Sequence, residues 1–190
     1  PMHVFLGQAD ESQVTFPRIR TEPPRISPDR DEVRRGIELL QNAKRPLLMA
    51  GTSVKWSRAS GAMCRFIEEI HIPAYANGMG RGTIPPELPE FLNRWRREAL
   101  EKTDCVVLAG TLLDFRMRFG QTIPADAKII QLEMDAVLIG QNRGTDVPLV
   151  GNLGCSFELL SEEMKNQGVK LDFSGFRDEL RAIETKAERK

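Results

Sequence analysis

The sequence has few cysteines and histidines, no long apolar run and no excess of one charge. Three cysteines and two histidines among 190 residues do not have the spacing of a zinc site, and the cysteines lie too far apart to suggest a disulfide framework. No apolar run approaches the roughly 20 residues that span a bilayer, and the first residues do not resemble a signal peptide. We therefore expect a cytoplasmic protein with reduced thiols, no metal site and no membrane contact.

Charge and motifs exclude further classes of protein. Lys and Arg together number 27, as do Asp and Glu, so the formal net charge is zero. Without a basic excess, the field that attracts nucleic acid is missing, and we expect no nucleic-acid partner. The motifs GxSxG, GxxxxGK and HExxH are absent, which removes the commonest hydrolase and phosphoryl-transfer sites. The sequence predicts no catalytic residue.

The sequence alternates short apolar runs with segments of helical periodicity. Its composition is that of an ordinary globular protein, with 41% hydrophobic and 28% charged residues. The apolar runs predict about five strands: Pro46–Ala50, Ile72–Ala76, Cys105–Ala109, Ile129–Leu132 and Val147–Val150. Such alternation predicts an α/β fold. We expect a Rossmann-like three-layer sandwich, with a parallel sheet of about five or six strands and helices on both faces.

Helix signals set the expected helix boundaries. Ser27–Asp29 combines an N-cap, a proline at the first helical position and an acid in the first turn. Residues 57–70 show helical spacing throughout. Pro89 is predicted to begin a helix that carries Trp95 and Ala99 on its inner face.

The chain is predicted to divide into three segments. Residues 1–27 begin with a short apolar strand at residues 1–6, as though cut from something longer, and continue as a proline-rich linker. Residues 28–167 form the compact unit. Residues 168–190 end in a sparse amphipathic helix that needs a partner surface. Two interpretations of this helix stay open: a solvated terminal helix, or a connector toward a further domain.

Glycine-containing loops follow three predicted strands, at the sheet edge where ligands bind in such folds. Small residues there let a ligand approach the backbone, and exposed amides can bind a phosphate. The candidate binding residues of these loops are Gly51, Thr52, Ser53, Gly78, Met79, Gly80 and Gly110. The GxGxxG dinucleotide fingerprint is absent, since Thr83 stands in place of its last glycine. The alternative that these glycines only form turns stays open.

Charged residues at the same edge complete the candidate site. Glu133 and Asp135 follow the fourth strand, where an acid accepts hydrogen bonds from a ribose in many open α/β sheets, and we expect both to face the same way. The alternative is a pair of solvated carboxylates that begin a short helix at residues 135–139. Arg116 and Arg118 lie in the loop after the third strand, within reach of a bound phosphate.

The order of these motifs resembles a known family. The segments that carry the resemblance are residues 45–51, 78–85, 104–110, 114–116, 130–135 and 146–152. Over residues 28–167 their succession resembles the central domain of thiamine-diphosphate-dependent enzymes of the acetolactate synthase group. Residues 110–120 are particularly similar to the acetolactate synthase-like and 2-hydroxyacyl-CoA lyase branches.

This resemblance implies a piece of a lyase or transferase that acts on 2-keto acids or acyl-CoA thioesters. In the family, a glutamate of the N-terminal domain activates thiamine diphosphate, and a GDG motif of the C-terminal domain holds Mg²⁺ and the diphosphate. This chain has no GDG motif, so the fragment alone is expected to be inactive and to bind neither group. The implied partners are those two catalytic domains, in a homodimer or homotetramer.

In several relatives the central domain also holds FAD or ADP as a structural or regulatory ligand. By position, the implied nucleotide contacts are Gly51, Thr52, Ser53, Gly78, Met79, Gly80, Gly110, Arg116, Glu133 and Asp135. Many relatives have aspartate in place of Glu133 and of Asn152. Two hypotheses remain: a central domain that spaces catalytic domains and binds FAD, ADP or nothing, or a stand-alone nucleotide-binding or interaction module with a Rossmann-like fold.

Overall fold

A five-stranded parallel sheet forms the middle layer of the computed structural model, which describes residues 2–8, 10–16 and 25–188. The strands are β1 (Pro46–Ala50), β2 (Ala74–Ala76), β3 (Cys105–Ala109), β4 (Lys128–Glu133) and β5 (Val147–Val150). Their order across the sheet is β2-β1-β3-β4-β5, and every neighbouring pair is parallel. The predicted α/β class is confirmed.

Helices cover both faces of this sheet. The α-helices of the described residues are α1 (Met2–Phe5), α2 (Arg30–Asn42), α3 (Thr52–Trp56), α4 (Ser60–Ile70), α5 (Arg96–Lys102), α6 (Leu153–Gln167) and α7 (Ser174–Glu188), of which α1 has no buried residue. Apolar residues of α2, α4 and α6 pack with Leu48 and Val107 on one face, whereas those of α5 and α7 pack with Leu47 and Val106 on the other. Both faces of the sheet are therefore shielded from solvent, and every residue of β1 and β3 is buried.

The first residues differ from the prediction. A strand is expected over residues 1–6, but Met2–Phe5 form the helical turn α1, which is fully exposed. A strand needs a neighbouring strand to satisfy its backbone groups, and none of the described strands pairs with this segment. A helical turn satisfies them locally, since Leu6 N donates to Met2 O at 3.0 Å. Pro1 and residues 17–24 of the predicted linker lie outside the described residues.

Two helix boundaries are also corrected. The N-cap of α2 is Asp29 instead of Ser27, because the Asp29 Oδ1 atom accepts from the amides of the second and third following residues at 2.7 and 3.3 Å. The helix predicted over residues 57–70 begins only at Ser60, as α4, after a break that separates it from α3. Arg58 has a φ of 53° there, which a continuous right-handed helix does not allow.

The helix predicted from Pro89 begins only at Arg96. Ala74 makes two backbone hydrogen bonds, of 2.8 and 2.9 Å, to the residues on either side of Phe91, so Phe91 pairs in parallel with the free edge of β2. This edge pairing excludes a helix over the same residues. Trp95, expected on the inner face of the helix, has a φ of 58° and is 43% exposed.

The C-terminal helix packs on the sheet. Phe176 and Leu180 of α7 are 5% and 2% exposed, and Ile183 packs against the same cluster. The partner surface that the amphipathic pattern requires is therefore the domain itself, and α7 is not a fully solvated helix. The division of the chain after residues 27 and 167, and a connector role for residues 168–190, stay predictions; residues 189–190 lie outside the described residues.

The described residues include three free thiols and no cluster of metal ligands. Among the described residues, no group of three or more His, Cys, Asp or Glu side chains is arranged for a metal ion. Cys64, Cys105 and Cys155 are free thiols. Burial, assisted by Asp104 and Asp146, raises the pKa of Cys105 to about 12, so this thiol is inert at neutral pH. None of the helices in the described part is long and apolar enough to cross a membrane.

Candidate functional site

The candidate site lies at the carboxyl edge of the sheet, between β1 and β3. The chain leaves β1 for β2 on one side of it and builds β3, β4 and β5 on the other side. In open α/β sheets, this reversal of strand order leaves a crevice in which ligands bind. The predicted site residues that the structure gathers there are Gly51, Thr52, Ser53, Gly78, Gly80, Gly110, Arg116 and Glu133. Met79 belongs to the same turn as Gly78 and is 43% exposed.

Backbone segments fill the crevice at three glycines. A Cβ atom at Gly51 would lie 2.1 Å from the carbonyl oxygen of Gly110, and one at Gly80 would lie 2.4 Å from the carbonyl oxygen of Ala50. At Gly110, whose φ of +61° favours glycine, a Cβ would lie 2.5 Å from the Cβ of Ser53. These positions require glycine because the strand ends and loops touch one another, and the chain itself takes up the space beside them.

The backbone amides of the site are engaged as well. Five backbone amides that were predicted to bind a phosphate donate hydrogen bonds within the chain. The donor–acceptor distances are 2.8 to 3.4 Å. These amides belong to Gly51, Ser53, Gly78, Gly80 and Gly110. Their acceptors are backbone carbonyls and the side chain of Asn77. A phosphate would have to displace these bonds, each of which contributes about 0.5–1.5 kcal/mol.

Glu133 is buried within this arrangement. The residue is 2% exposed, and its Oε1 atom accepts from Ser53 Oγ at 2.7 Å and from the Met134 amide at 2.8 Å. Its Oε2 atom is buried without a hydrogen-bond partner among the described residues. A buried carboxylate needs its remaining partners because desolvation penalises the charge. The Ser53–Glu133 bond therefore ties α3 to the end of β4.

Removing the Ser53 hydroxyl is expected to destabilise the domain. Ser53→Ala leaves the buried Glu133 carboxylate with the Met134 amide alone, and we expect a loss of about 1–3 kcal/mol in the free energy of unfolding. Ser161→Ala, at a partly exposed position of α6, is the control and should change stability by less than about 0.5 kcal/mol. Urea unfolding at pH 7 measures both variants. Equal stabilities would contradict the role given to the Ser53–Glu133 bond.

Glu133 and Asp135 do not face the same way, contrary to the expectation. β4 ends at Glu133, and the strand alternation of side chains ends with it. Asp135 is exposed, and its Oδ1 atom accepts from the Val137 amide at 3.0 Å, which caps a 3-10 turn at Ala136–Leu138. The interpretation as a solvated carboxylate is right for Asp135 and wrong for Glu133.

Arg116 lies at the mouth of the crevice with its charge compensated by Asp114. The guanidinium donates to Asp114 at 2.5 to 3.2 Å, and this bonding lowers the pKa of Asp114 and raises that of Arg116. A Cβ atom at Gly78 would lie 3.2 Å from Arg116 Nη1 and 3.3 Å from Thr52 Oγ1. Arg116 thus lies at the rim of the site, and Arg118 is exposed two residues further on.

Sequence reasoning missed two residues that hold the crevice together. Thr111 Oγ1 donates to Met49 O at 2.9 Å, across the switch point. Asn77 Oδ1 accepts from the Gly78 amide at 2.9 Å and from Arg96 at 3.3 Å. In the sequence, a polar residue next to a glycine is typical of any turn. Nothing local indicates the partners of Thr111 and of Asn77.

This arrangement offers an adenine nucleotide few free polar groups. A nucleotide requires free donors for its phosphates and an available acid for its ribose. Here five of the site's amides donate within the chain, and the buried acid Glu133 accepts a hydrogen bond from Ser53. Nucleotide binding stays a prediction of the sequence, and the geometry favours the alternative in which the strand-end glycines serve the fold.

Comparison with known proteins shows which family the chain is similar to. Residues 33–161 match the family model for the central domain of thiamine pyrophosphate enzymes. The chain is 32% identical over 186 residues to the acetolactate synthase large subunit of Mycobacterium tuberculosis, covering 97% of this chain and 32% of that protein. It is 30% identical over 159 residues to the oxalyl-CoA decarboxylase of Escherichia coli, covering 83% and 28%. It is 36% identical over 108 residues to the 2-hydroxyacyl-CoA lyase 2 of Homo sapiens, covering 56% and 17%.

Solved structures agree on the fold. A thiamin diphosphate-dependent enzyme of Mycobacterium smegmatis superposes with a TM-score of 0.63 at 23% identity, covering 76% of this chain and 29% of that chain. The benzoylformate decarboxylase of Polynucleobacter necessarius superposes with a TM-score of 0.61 at 21% identity, covering 78% and 30%. The chain spans less than a third of the length of each of these relatives.

Proposed function

Since this chain belongs to the thiamine pyrophosphate enzyme family, as its central domain, we propose that it contributes to the family's chemistry structurally and supplies no catalytic residue. In this proposal the domain is part of a lyase or transferase of the acetolactate synthase type. Thiamine diphosphate and Mg²⁺ bind to other domains of the whole protein, and this domain spaces them. Those domains are its proposed partners, within a homodimer or homotetramer.

The close packing of the strand ends at the switch point supports this structural role. An α/β domain of this strand order that acts on a ligand does so at the carboxyl ends of β1 and β3. In this chain the same place is filled by contacts between Gly51, Gly80 and Gly110 and by the bond between Ser53 and Glu133. A domain whose crevice is filled by its own backbone is suited to hold neighbouring parts at a fixed distance.

The substrate is proposed at the level of a class. Relatives are named for acetolactate, oxalyl-CoA and 2-hydroxyacyl-CoA, and we propose 2-keto acids or acyl-CoA thioesters for the whole protein. The choice between them depends on domains outside this chain. Nothing in the fold or in the comparisons favours the second hypothesis, a stand-alone module.

Calorimetric titration of this chain with ADP, with FAD and with thiamine diphosphate plus Mg²⁺ tests the structural role. We expect no saturable binding heat with any of these ligands up to about 1 mM. A ligand with a binding free energy of about 4 kcal/mol would half-saturate its site at that concentration. The physical reason is that a phosphate would have to displace amide bonds that the chain already makes, and that Asp114 already compensates the charge of Arg116.

If binding heat is observed, variants show which residues bind the ligand. Arg116→Ala and Asp135→Ala remove the two predicted contacts that are accessible at the strand ends. Lys44→Ala removes an exposed cation before β1, at the opposite edge of the sheet, as the control. Saturable binding of ADP or FAD that the first two variants weaken and the third does not would overturn the structural role in favour of a nucleotide site. Binding of thiamine diphosphate would contradict its assignment to other domains.

A further inference from the structure

A second cavity lies beside the edge strand β2 and shares no residue with the candidate site at the strand ends. It has a volume of about 680 Å³ and is enclosed by the end of β2, residues 81–86 and residues 91–97. Small-molecule sites commonly have volumes of about 300–1,000 Å³. The aromatic and cationic residues in its wall are Tyr75, Phe91, Trp95, Arg81, Arg96 and Arg97.

Two guanidinium groups of this wall have no ion-pair partner among the described residues. Arg81 and Arg96 form no ion pair in the part of the chain that the structure describes, and Arg96 donates to neutral acceptors, Asn77 Oδ1 and a backbone carbonyl, both at 3.3 Å. Burial and the nearby charge of Arg81 lower the pKa of Arg96. Arg97, in contrast, is paired with Glu101 at 2.8 Å. An anion between Arg81 and Arg96 would relieve their repulsion with charge-assisted hydrogen bonds.

Tyr75 adds an unpartnered polar group. The residue is 2% exposed, and its hydroxyl is buried with no hydrogen-bond partner among the described residues. Buried hydroxyls are normally paired, because an unpaired one loses its bonds to water without replacement. Burial, together with the charges of Glu184 and Glu98, raises the pKa of Tyr75. The hydroxyl therefore keeps its proton at neutral pH and can donate to a ligand.

Trp95 gives the cavity a flat apolar wall. Its indole is 43% exposed, and the backbone holds it at a φ of 58°, a conformation that is unusual for a bulky residue and that is concentrated at functional positions. The partly buried Phe91 lies in the same wall. Flat aromatic surfaces bind planar rings by offset stacking.

We propose that this cavity binds a small organic anion that carries a planar ring. The phosphate or carboxylate of the ligand lies between Arg81 and Arg96, the ring lies against Trp95, and Tyr75 is an additional donor. This role goes beyond the proposed function and requires no other domain, although Arg96 also donates to Asn77 and to the Arg116 carbonyl at the strand-end crevice.

Fluorescence of Trp95 tests the proposal directly. The chain has two tryptophans, so Trp56→Phe, at an exposed position of α3, leaves Trp95 as the only tryptophan, and excitation is selective for tryptophan. This protein is titrated with phenyl phosphate, benzoate, inorganic phosphate and benzyl alcohol. We expect either phenyl phosphate or benzoate to bind with a Kd below about 1 mM. This anion should bind at least about fivefold more tightly than inorganic phosphate or benzyl alcohol, each of which lacks one of the two features. Comparison of phenyl phosphate with benzoate identifies the anionic group.

Variants in the same background assign the contacts. Arg81→Gln should weaken binding about tenfold, and Tyr75→Phe about threefold to tenfold, with unchanged thermal midpoints confirming the fold of Arg81→Gln. Arg65→Gln, on α4 at the opposite face of the sheet, should leave the Kd unchanged. The proposal is overturned if neither ring-bearing anion saturates below about 10 mM. It is equally overturned if Arg81→Gln binds as tightly as its parent, or if phosphate or benzyl alcohol binds as tightly as the ring-bearing anions.

Discussion

Gly51→Ala is expected to remove most of the stability of this domain. A Cβ atom at this position would lie 2.1 Å from the carbonyl oxygen of Gly110 and 2.4 Å from Thr111 Oγ1. Neither neighbour can retreat easily, because the Gly51 amide donates to Ala109 O at 2.8 Å and Thr111 is bonded to β1. We expect a loss of about 4 kcal/mol or more in the free energy of unfolding. The total free energy of unfolding of a natural domain is only about 5–15 kcal/mol.

Gly61→Ala is the matched control for this substitution. Gly61 lies in α4, and the nearest atom to an added Cβ is the end of the flexible Arg65 side chain at 3.5 Å. Because alanine favours the helix more than glycine does, we expect this variant to gain about 0.5 kcal/mol. Urea unfolding followed by circular dichroism measures both. A Gly51→Ala protein within about 1 kcal/mol of the parent would show that the crevice is wider in solution, and the structural role would lose its support.

The layers of the fold are predictable from the sequence because both faces of the sheet are covered. Strands buried on both sides are continuous apolar runs, and β1, β3 and β5 begin and end at the predicted residues. The errors occur where a distant segment decides the local structure. Residues around Phe91 have helical signals, but the free edge of β2 pairs with them. The strand expected over residues 1–6 has no such partner and is helical.

The place of the candidate site is predictable, and its chemistry is not. Strand order and strand-end glycines identify the switch point, because the carboxyl ends of parallel strands share one edge. Whether a glycine there admits a ligand or another piece of backbone depends on distances such as that between Gly51 and Gly110, which the sequence does not contain. The burial of Glu133 likewise depends on Ser53, 80 residues away along the chain.

Arg177→Ala is the second substitution with a large expected effect. Glu90 is 2% exposed, and its Oε1 atom lies 2.9 Å from Arg177 Nη1 and 2.9 Å from His71 Nδ1. Arg177 is itself largely buried, with 18% of its side chain exposed. Removing the guanidinium leaves a buried carboxylate without its arginine, and we expect a loss of about 3–5 kcal/mol in the free energy of unfolding. Lys186→Ala, at an exposed position of the same helix, should change stability by less than about 0.5 kcal/mol.

A double variant separates the charge from the packing. Glu90→Leu combined with Arg177→Met replaces the pair by apolar side chains, and we expect it to recover most of the stability that Arg177→Ala loses, because a buried ion pair contributes little relative to well-packed apolar groups. Arg177 belongs to α7 and Glu90 to the segment beside β2, so a large coupling between them means that residues beyond 167 fold as part of the sheet's core. A loss below about 1 kcal/mol for Arg177→Ala would instead mean that α7 is weakly attached, as expected of a helix whose main role is to connect this domain to another.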